Sequence, residues 1–318
     1  MYLSSFMQMA RQREYWAPPR LARIVSSIAR NIPRQMEIFR VLALPPFRSM
    51  NSIHPAFPFK YLSTRYLVRG YTARERATCF LHHYRFLQTK LNSPSVRTAL
   101  EGDTPLLAMS AGGSNYVVTL GPPRKDAIWE GELLLRLTVD GLAVYTLQFA
   151  VVPGWVVRSR QENVLLIQRL QGVKGCSGEI FAATKALHEV APPALLVAAL
   201  LGIANAWDIR QLAGVCARSQ YSHRAHLSDA LVRTYDDFYV DLGASRISSD
   251  FFLSPIPLVE KPIDGIRNGH KSRTRKKRAF KQMIADDVCR WISAGVSQAE
   301  LAGIAATQGR VQDSGEAA

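Results

Sequence analysis

Residues 131–152 read GELLLRLTVDGLAVYTLQFAVV, and residues 163–175, shortly after, read NVLLIQRLQGVKG. In the first stretch Asp140-Gly141 separates two alternating apolar runs, the strongest short-range signal for a β-hairpin. Leu133, Leu135 and Leu137 project to one side of the first strand, with Glu132, Leu134 and Arg136 on the other. Tyr145, Leu147, Phe149 and Val151 share a face of the second. One face of the hairpin therefore has to be covered by something apolar. Val164 to Leu170, bounded by polar turns, reads as a third strand. Beyond it, Glu179–Val190 and Pro192–Trp207 have helical spacing, and RQLAGV (210–215) reads as a further strand. SQYSHR (219–224) reads as a loop, Leu227–Leu242 as an amphipathic helix, and DFFLSPIPLVEKP (250–262) follows. The expected class is α+β: a mostly antiparallel sheet flanked by helices, with an N-terminal helical region and a C-terminal helix.

Arg169-Leu170-Gln171-Gly172-Val173-Lys174-Gly175 joins the third strand to the next helix. A glycine-containing turn there frees backbone N–H groups, and the helix N-terminus adds partial positive charge, so phosphate is a natural ligand. Arg169, Gly172, Lys174 and Gly175 are the candidate residues for it. Glycine turns also join strands to helices where nothing binds.

The chain has 318 residues, 47% of them apolar, with mean hydropathy −0.03, which describes a globular protein with ample length for a core. MYLSSFMQMARQREYW lacks the apolar stretch and small-residue cleavage site of a signal peptide. Ala194–Trp207, the most apolar run, is too short for a membrane span and reads as a buried helix. Cys79, Cys176, Cys216 and Cys289 are scattered, which argues against zinc and against a disulfide framework. The expected location is cytoplasmic, with peripheral attachment to the inner membrane as the variant.

The net charge of +15 is unevenly distributed. Residues 1–76 carry +10, residues 77–260 are neutral, residues 261–281 carry +8 and the remaining tail carries −3. These shifts suggest a basic N-terminal region (1–76), an α+β core (77–260), a basic linker (261–281), a helical segment (282–307) and a disordered tail (308–318). RLARIVSSIARNI places Leu21, Ile24, Val25, Ile28 and Ile32 on one side of a helix, with Arg20, Arg23, Arg30 and Arg34 elsewhere. Such a helix either lies on an anionic membrane or packs on its own domain with its arginines in solvent. Residues 42–62, rich in proline and aromatics, read as an ordered extended connection, and helical periodicity resumes near Thr72. His82 and His83 are adjacent, which is wrong for two metal ligands on one helix face. KSRTRKKRAFK (271–281) offers Lys271, Arg273, Arg275, Lys276, Lys277 and Arg278 to anionic lipid or, nonspecifically, to nucleic acid. The alternative for this run is a solvated linker before a last helix at Lys281–Ile292. In the 219–224 loop His223 is the candidate general base or acid and Tyr221 the candidate acid, while His188, beside Leu187 and Val190, reads as structural.

LEGDTPLLAM (100–109), the hairpin, LLIQRLQG (165–172), TKALHEVAPPALLVAAL (184–200), YDDFYVDLGASR (235–246), FFLSP (251–255) and KSRTRKKRAFK together resemble the bacterial VirK/YbjX family over roughly residues 60–290. That resemblance implies links to virulence, display of an outer-membrane virulence factor, antimicrobial-peptide resistance and stress responses including DNA damage. It names no reaction. The order of strands, turn, helix and strand also looks like the N-acetyltransferase type of acyltransferase fold. There an Arg/Gln-x-x-Gly-x-Gly/Ala turn holds the pyrophosphate of acyl-coenzyme A. Arg169 and Gly172 fit that pattern, Lys174 stands where the next glycine or alanine belongs, and Gly175 comes one residue late. The resemblance implies an acyl-coenzyme A or acyl-carrier-protein thioester as donor, no metal, and Tyr221 or His223 handling the acceptor's proton. The alternative is a non-catalytic accessory protein that docks on membrane or on a surface-protein precursor; nonspecific nucleic-acid binding is a third reading.

Overall fold

A computed structural model describes residues 26, 28–29, 32–54, 56–221, 229, 232–260, 262–265 and 268–294. The chain opens with α1 (Ile32–Leu42), α2 (Pro45–Arg48) and α3 (Met50–Ile53), followed by a 3-10 turn at Phe57–Leu62. The expected extended connection over 42–62 is therefore a series of short helical turns. Pro45 and Pro58 each sit in the first helical positions, where a fixed φ favours the helix and the missing N–H costs nothing. Then come α4 (Ala73–Lys90) and α5 (Pro94–Glu101). A capping box starts α4: Thr72 Oγ1 accepts from the Glu75 N–H at 3.2 Å, and Glu75 Oε2 accepts from the Thr72 N–H at 2.7 Å.

Five strands follow: β1 (Thr104–Ala111), β2 (Ser114–Gly121), β3 (Leu133–Val139), β4 (Leu142–Pro153) and β5 (Asn163–Gly172). The β3–β4 turn is the expected one. Asp140 (φ 49°) and Gly141 (φ 83°) are both left-handed, as a two-residue hairpin matching strand twist requires. The chain then crosses through α6 (Ser177–Ala186) and α7 (Pro192–Ala206) to β6 (Gln211–Val215). The helix expected over Glu179–Val190 starts earlier and stops at Ala186, because His188 (φ 52°) and Glu189 (φ 58°) turn left-handed. The described part of the helix expected over Leu227–Leu242 is a π-helical turn at Val232–Asp236 running into α8 (Asp237–Asp241). After β7 (Ser245–Arg246) and β8 (Phe251–Pro255) comes α9 (Asn268–Ala294).

The eight strands form one sheet in the order β1-β2-β3-β4-β5-β6-β8-β7. Every neighbouring pair is antiparallel except β5 and β6, which the two-helix crossover makes parallel. The fold is thus α+β, with a large, open, mixed sheet and helices on it. Its apolar core is continuous from Ile38 to Ile292.

α7 packs on β3, β4 and β5. Pairing in register, Leu133 with Phe149 and Leu135 with Leu147, presents the apolar row that hairpin alternation demanded. The long α9 lies along α7. KSRTRKKRAFK is therefore part of a helix rather than a linker ahead of one. Lysine and arginine are good helix formers, and α9 is clamped where Arg273 and Lys277 meet Glu189 and where Arg278 and Lys281 meet Glu260. The other sheet face carries α4 at one end.

His82 and His83 on α4 are structural. His83 is fully buried and its Nδ1 accepts the Val151 N–H at 3.0 Å, while the His82 Nε2 pairs with Asn163 Oδ1 at 2.8 Å. Burial holds both imidazoles below their ordinary pKa, His83 well below it. The unfolded chain therefore takes up protons that the fold refuses, so stability is full above the ordinary imidazole pKa and falls as pH drops through it. His83→Asn, which keeps an acceptor near Nδ1, is expected to flatten that acid limb by up to about 1.4 kcal/mol per pH unit. Urea unfolding from pH 4.5 to 8 measures it, and an unchanged acid limb would assign the loss to other groups.

Candidate functional site

Opposite the apolar row, Leu134 and Arg136 of β3, Thr146 and Gln148 of β4, and Arg169 and Gln171 of β5 form a polar floor. Register sets this: Arg136 pairs with Thr146, Thr146 with Gln171, and Gln148 with Arg169. The floor is left open beyond α4. The β2–β3 connection walls it with Arg124, Asp126 and Ala127, and the turn after β5 with Gly172, Val173 and Lys174, enclosing a cleft of about 280 Å³. Arg124, Asp126 and Arg136 also line an open groove of about 850 Å³ that continues past Asp103, Pro122, Pro123, Lys125 and His54.

Arg169, Gly172 and Lys174 all line the cleft. Gly175 turns away as a left-handed residue (φ 89°) and lines neither the cleft nor the groove. At Gly172 a Cβ would fall 2.9 Å from Ile180 Cδ1, so this glycine lets α6 pack against the strand end. The Arg169 guanidinium is paired with Glu130, and Arg136 forks onto Asp103 at 2.7 and 3.4 Å. Lys174 is exposed and makes no ion pair among the described residues.

The parallel pair departs from regularity beside this cleft. β5 and β6 are matched only over Leu165–Ile167 and Leu212–Gly214, so β5 continues to Gly172 with β4 as its one strand neighbour. Tyr235 from the π-helical turn occupies the divergence, its hydroxyl 3.5 Å from the Leu170 N–H. Tyr239 follows it and covers Gly214, where a Cβ would overlap the phenol ring. Burial pushes the Tyr235 phenol up to about 12; Glu130 adds to the rise, and the Leu170 N–H and Arg169 oppose it. Tyr235 is thus a protonated hydroxyl near Arg169 and Glu130, buried behind the cleft and not part of its lining. Sequence reasoning missed it. YDD at 235–237 sits in a segment of family resemblance, but nothing local says that its first residue reaches a strand 65 positions earlier.

Of the candidate proton carriers, His223 lies outside the described residues. Tyr221 lines neither the cleft nor the groove and lies under the Arg65 guanidinium, 5.1 Å from its ring centre. His54, which was not singled out, faces the groove with Nδ1 accepting the Ala56 N–H at 3.0 Å. Burial, aided by Lys125, lowers its pKa. His188 packs its ring on Phe280 at 4.8 Å. Among the described residues no cluster of three His, Cys, Asp or Glu is placed to hold a metal, and all four cysteines are free thiols. No helix among them is long and apolar enough to cross a membrane. Arg20, Arg23 and Arg30 lie outside the described residues, while Arg34 is on α1. On α9, Arg275 and Lys276 are exposed with no ion pair among the described residues, unlike Arg273, Lys277 and Arg278.

A family model described as "Protein of unknown function (DUF535)" matches residues 21–290. An uncharacterized protein of Haemophilus influenzae (strain ATCC 51907 / DSM 11121 / KW20 / Rd) is 25% identical over 128 residues. That match covers 40% of this chain and 43% of the Haemophilus protein. No solved structure matches the chain.

Proposed function

Starting from the fact that the chain belongs to the DUF535 family, the family of VirK and YbjX, we propose that it transfers an acyl group from a thioester donor to an envelope acceptor. One observation carries this reading: the cleft holding Arg169 and Lys174 opens at the carboxyl end of β5, past the last residue that pairs with β6. In open sheets with crossovers, ligands bind outside the carboxyl ends of strands. Lys174, which makes no ion pair among the described residues, is the cation for the donor's phosphates, and Arg169 joins it by exchanging part of its Glu130 pairing for phosphate.

In the step proposed, the acceptor's hydroxyl or amine attacks the thioester carbonyl carbon and a C–O or C–N bond forms. The tetrahedral intermediate then collapses, the C–S bond breaks, and the thiolate leaves. The thiolate takes a proton from solvent, which also accepts the proton that the acceptor sheds. The virulence and envelope associations that the family resemblance implies would follow from modification of a surface component.

The test is thermal unfolding with coenzyme A, acetyl- and long-chain acyl-coenzyme A, and acyl-carrier protein. The expected result is a rise in Tm that grows with donor concentration, corresponding to about 2.7 kcal/mol of added stability at a hundredfold excess over Kd. Arg169→Ala and Lys174→Ala should abolish it. No shift with any donor would sink the reading and favour an accessory protein that docks through exposed basic residues such as Arg275 and Lys276.

A further inference from the structure

Half of the buried side-chain nitrogens and oxygens that have no hydrogen-bond partner among the described residues belong to four neighbouring side chains, of which Arg136, Gln148 and Arg169 line the cleft and Gln168 lies beside Gln148. They are Arg136 Nε, Gln148 Oε1, both amide atoms of Gln168, and Arg169 Nε. Gln148 and Gln168 are 1% and 2% exposed. Leaving such atoms unpaired costs the fold their full desolvation, so three of them on residues that line one cleft, with Gln168 beside, point to a polar ligand there.

The group is also held in place before any ligand arrives. Gln148 Nε2 donates to the Ala127 carbonyl at 3.1 Å, Arg136 is forked onto Asp103, and Arg169 is paired with Glu130. A bulge between β4 and β5 at Gln148/Phe149 adds Gln168 beside the Gln148–Arg169 pair. Gly131 makes room for both carboxamides: a Cβ there would fall 2.9 Å from Gln148 Cβ and 3.2 Å from Gln168 Oε1.

The chemistry of the unpaired atoms selects the ligand. Arg136 Nε, Arg169 Nε and Gln168 Nε2 are donors, while Gln148 Oε1 and Gln168 Oε1 are acceptors. A phosphate or carboxylate only accepts and an ammonium only donates; a hydroxyl does both. Each guanidinium already faces a carboxylate, so, Lys174 aside, the charges at these side chains are matched and their unpaired atoms suit a neutral polar group. The groove beyond, about 850 Å³ and sharing Arg136, gives room for more than one ring.

We infer that Gln148, Arg136 and Arg169, backed by Gln168, form a recognition site for the hydroxyls of a saccharide. In the acyl-transfer reading, on which only this assignment of role rests, that saccharide is the acceptor.

Saturation-transfer NMR on the full chain, without acyl donor, tests it with glucose, N-acetylglucosamine, maltose and chitobiose. Saturation of ring protons is expected from at least one of them. Gln148→Met should weaken that binding by about tenfold or more. Gln168→Met removes two unpaired polar atoms at similar volume, so its urea midpoint should hold or rise while saccharide affinity falls. Absence of transfer from all four sugars, wild-type affinity in Gln148→Met, or a lowered midpoint in Gln168→Met would each overturn the inference. Sugar binding with no thioester shift would retain the site and sink the donor reading; a thioester shift with no sugar binding would do the reverse.

Discussion

Glu132→Ala is expected to lower the unfolding free energy by about 3–5 kcal/mol, the loss typical when one partner of a buried ion pair is removed. Lys60 and Glu132 are both fully buried, with Nζ 2.7 Å from Oε2. The ammonium also donates to the Ile128 and Gly131 carbonyls at 3.1 and 3.2 Å, and the Phe57 ring lies 4.5 Å away. Glu132 accepts from the Tyr66 and Tyr84 hydroxyls as well. The network pins the 3-10 turn at Phe57–Leu62 and α4 to the start of β3. Removing the carboxylate strands an ammonium and two phenols in the core. Lys60 already has its pKa lowered by burial, with Glu132 opposing that shift, so it would shed its proton more readily without its partner. The double variant Lys60→Met/Glu132→Gln removes both charges and leaves an amide for the tyrosines, so it should recover most of the loss. Urea unfolding of both single variants and the double variant at pH 7 measures this. A Glu132→Ala loss below about 1 kcal/mol would show that the pair contributes no more than an exposed one.

Gly202→Ala carries the second large effect, opposite in sign to helix propensity. In an exposed helix interior that change stabilises by about 1 kcal/mol. Gly202 instead lies where α7 meets α9, and a Cβ would overlap the Ala285 carbonyl oxygen and sit 2.8 Å from Val288 Cβ. The obstacle is backbone, so relief requires α9 to move, and overpacking of this kind costs about 1–3 kcal/mol or more. α9 also bonds α5, with Ser93 Oγ and Ser95 Oγ donating to the Ile292 and Trp291 carbonyls at 2.9 and 3.1 Å, so a shifted helix loses those as well. Gly178→Ala on α6 is the control, since nothing lies within 4 Å of its added Cβ, and it should be neutral or slightly stabilising. Equal urea midpoints for the two variants would mean that α9 adjusts freely.

Much of the sheet was legible because its signals are local. Asp140-Gly141 fixed one hairpin, and alternation on either side fixed which face is apolar. β1 and β2 had the same kind of signal in Gly112 and Gly113, both left-handed, but it drew no reading. The basic run at 271–281 misled for a complementary reason. Its charges looked like solvated linker, yet two glutamates distant in sequence, Glu189 and Glu260, hold four of them on the helix that carries them. For the candidate site, the turn motif delivered Arg169, Gly172 and Lys174. Tyr235 and the Gln148–Gln168 pair were not legible, because one reaches β5 from a distant turn and the other depends on a bulge.

The sequence by itself determined the hairpin, the buried helix α7, the strand-turn-helix that places Arg169 and Lys174, and the family. The first three rest on backbone preference or on order within a few residues of one another, and the family on several motifs in the same order along the chain. Only the tertiary structure decided that β5 and β6 part beside the cleft, that Tyr235 enters the gap, that Lys60 meets Glu132, and which basic residues stay free. These are encounters between side chains tens of positions apart, and burial gives them their strength; neither partner carries a local mark of the other.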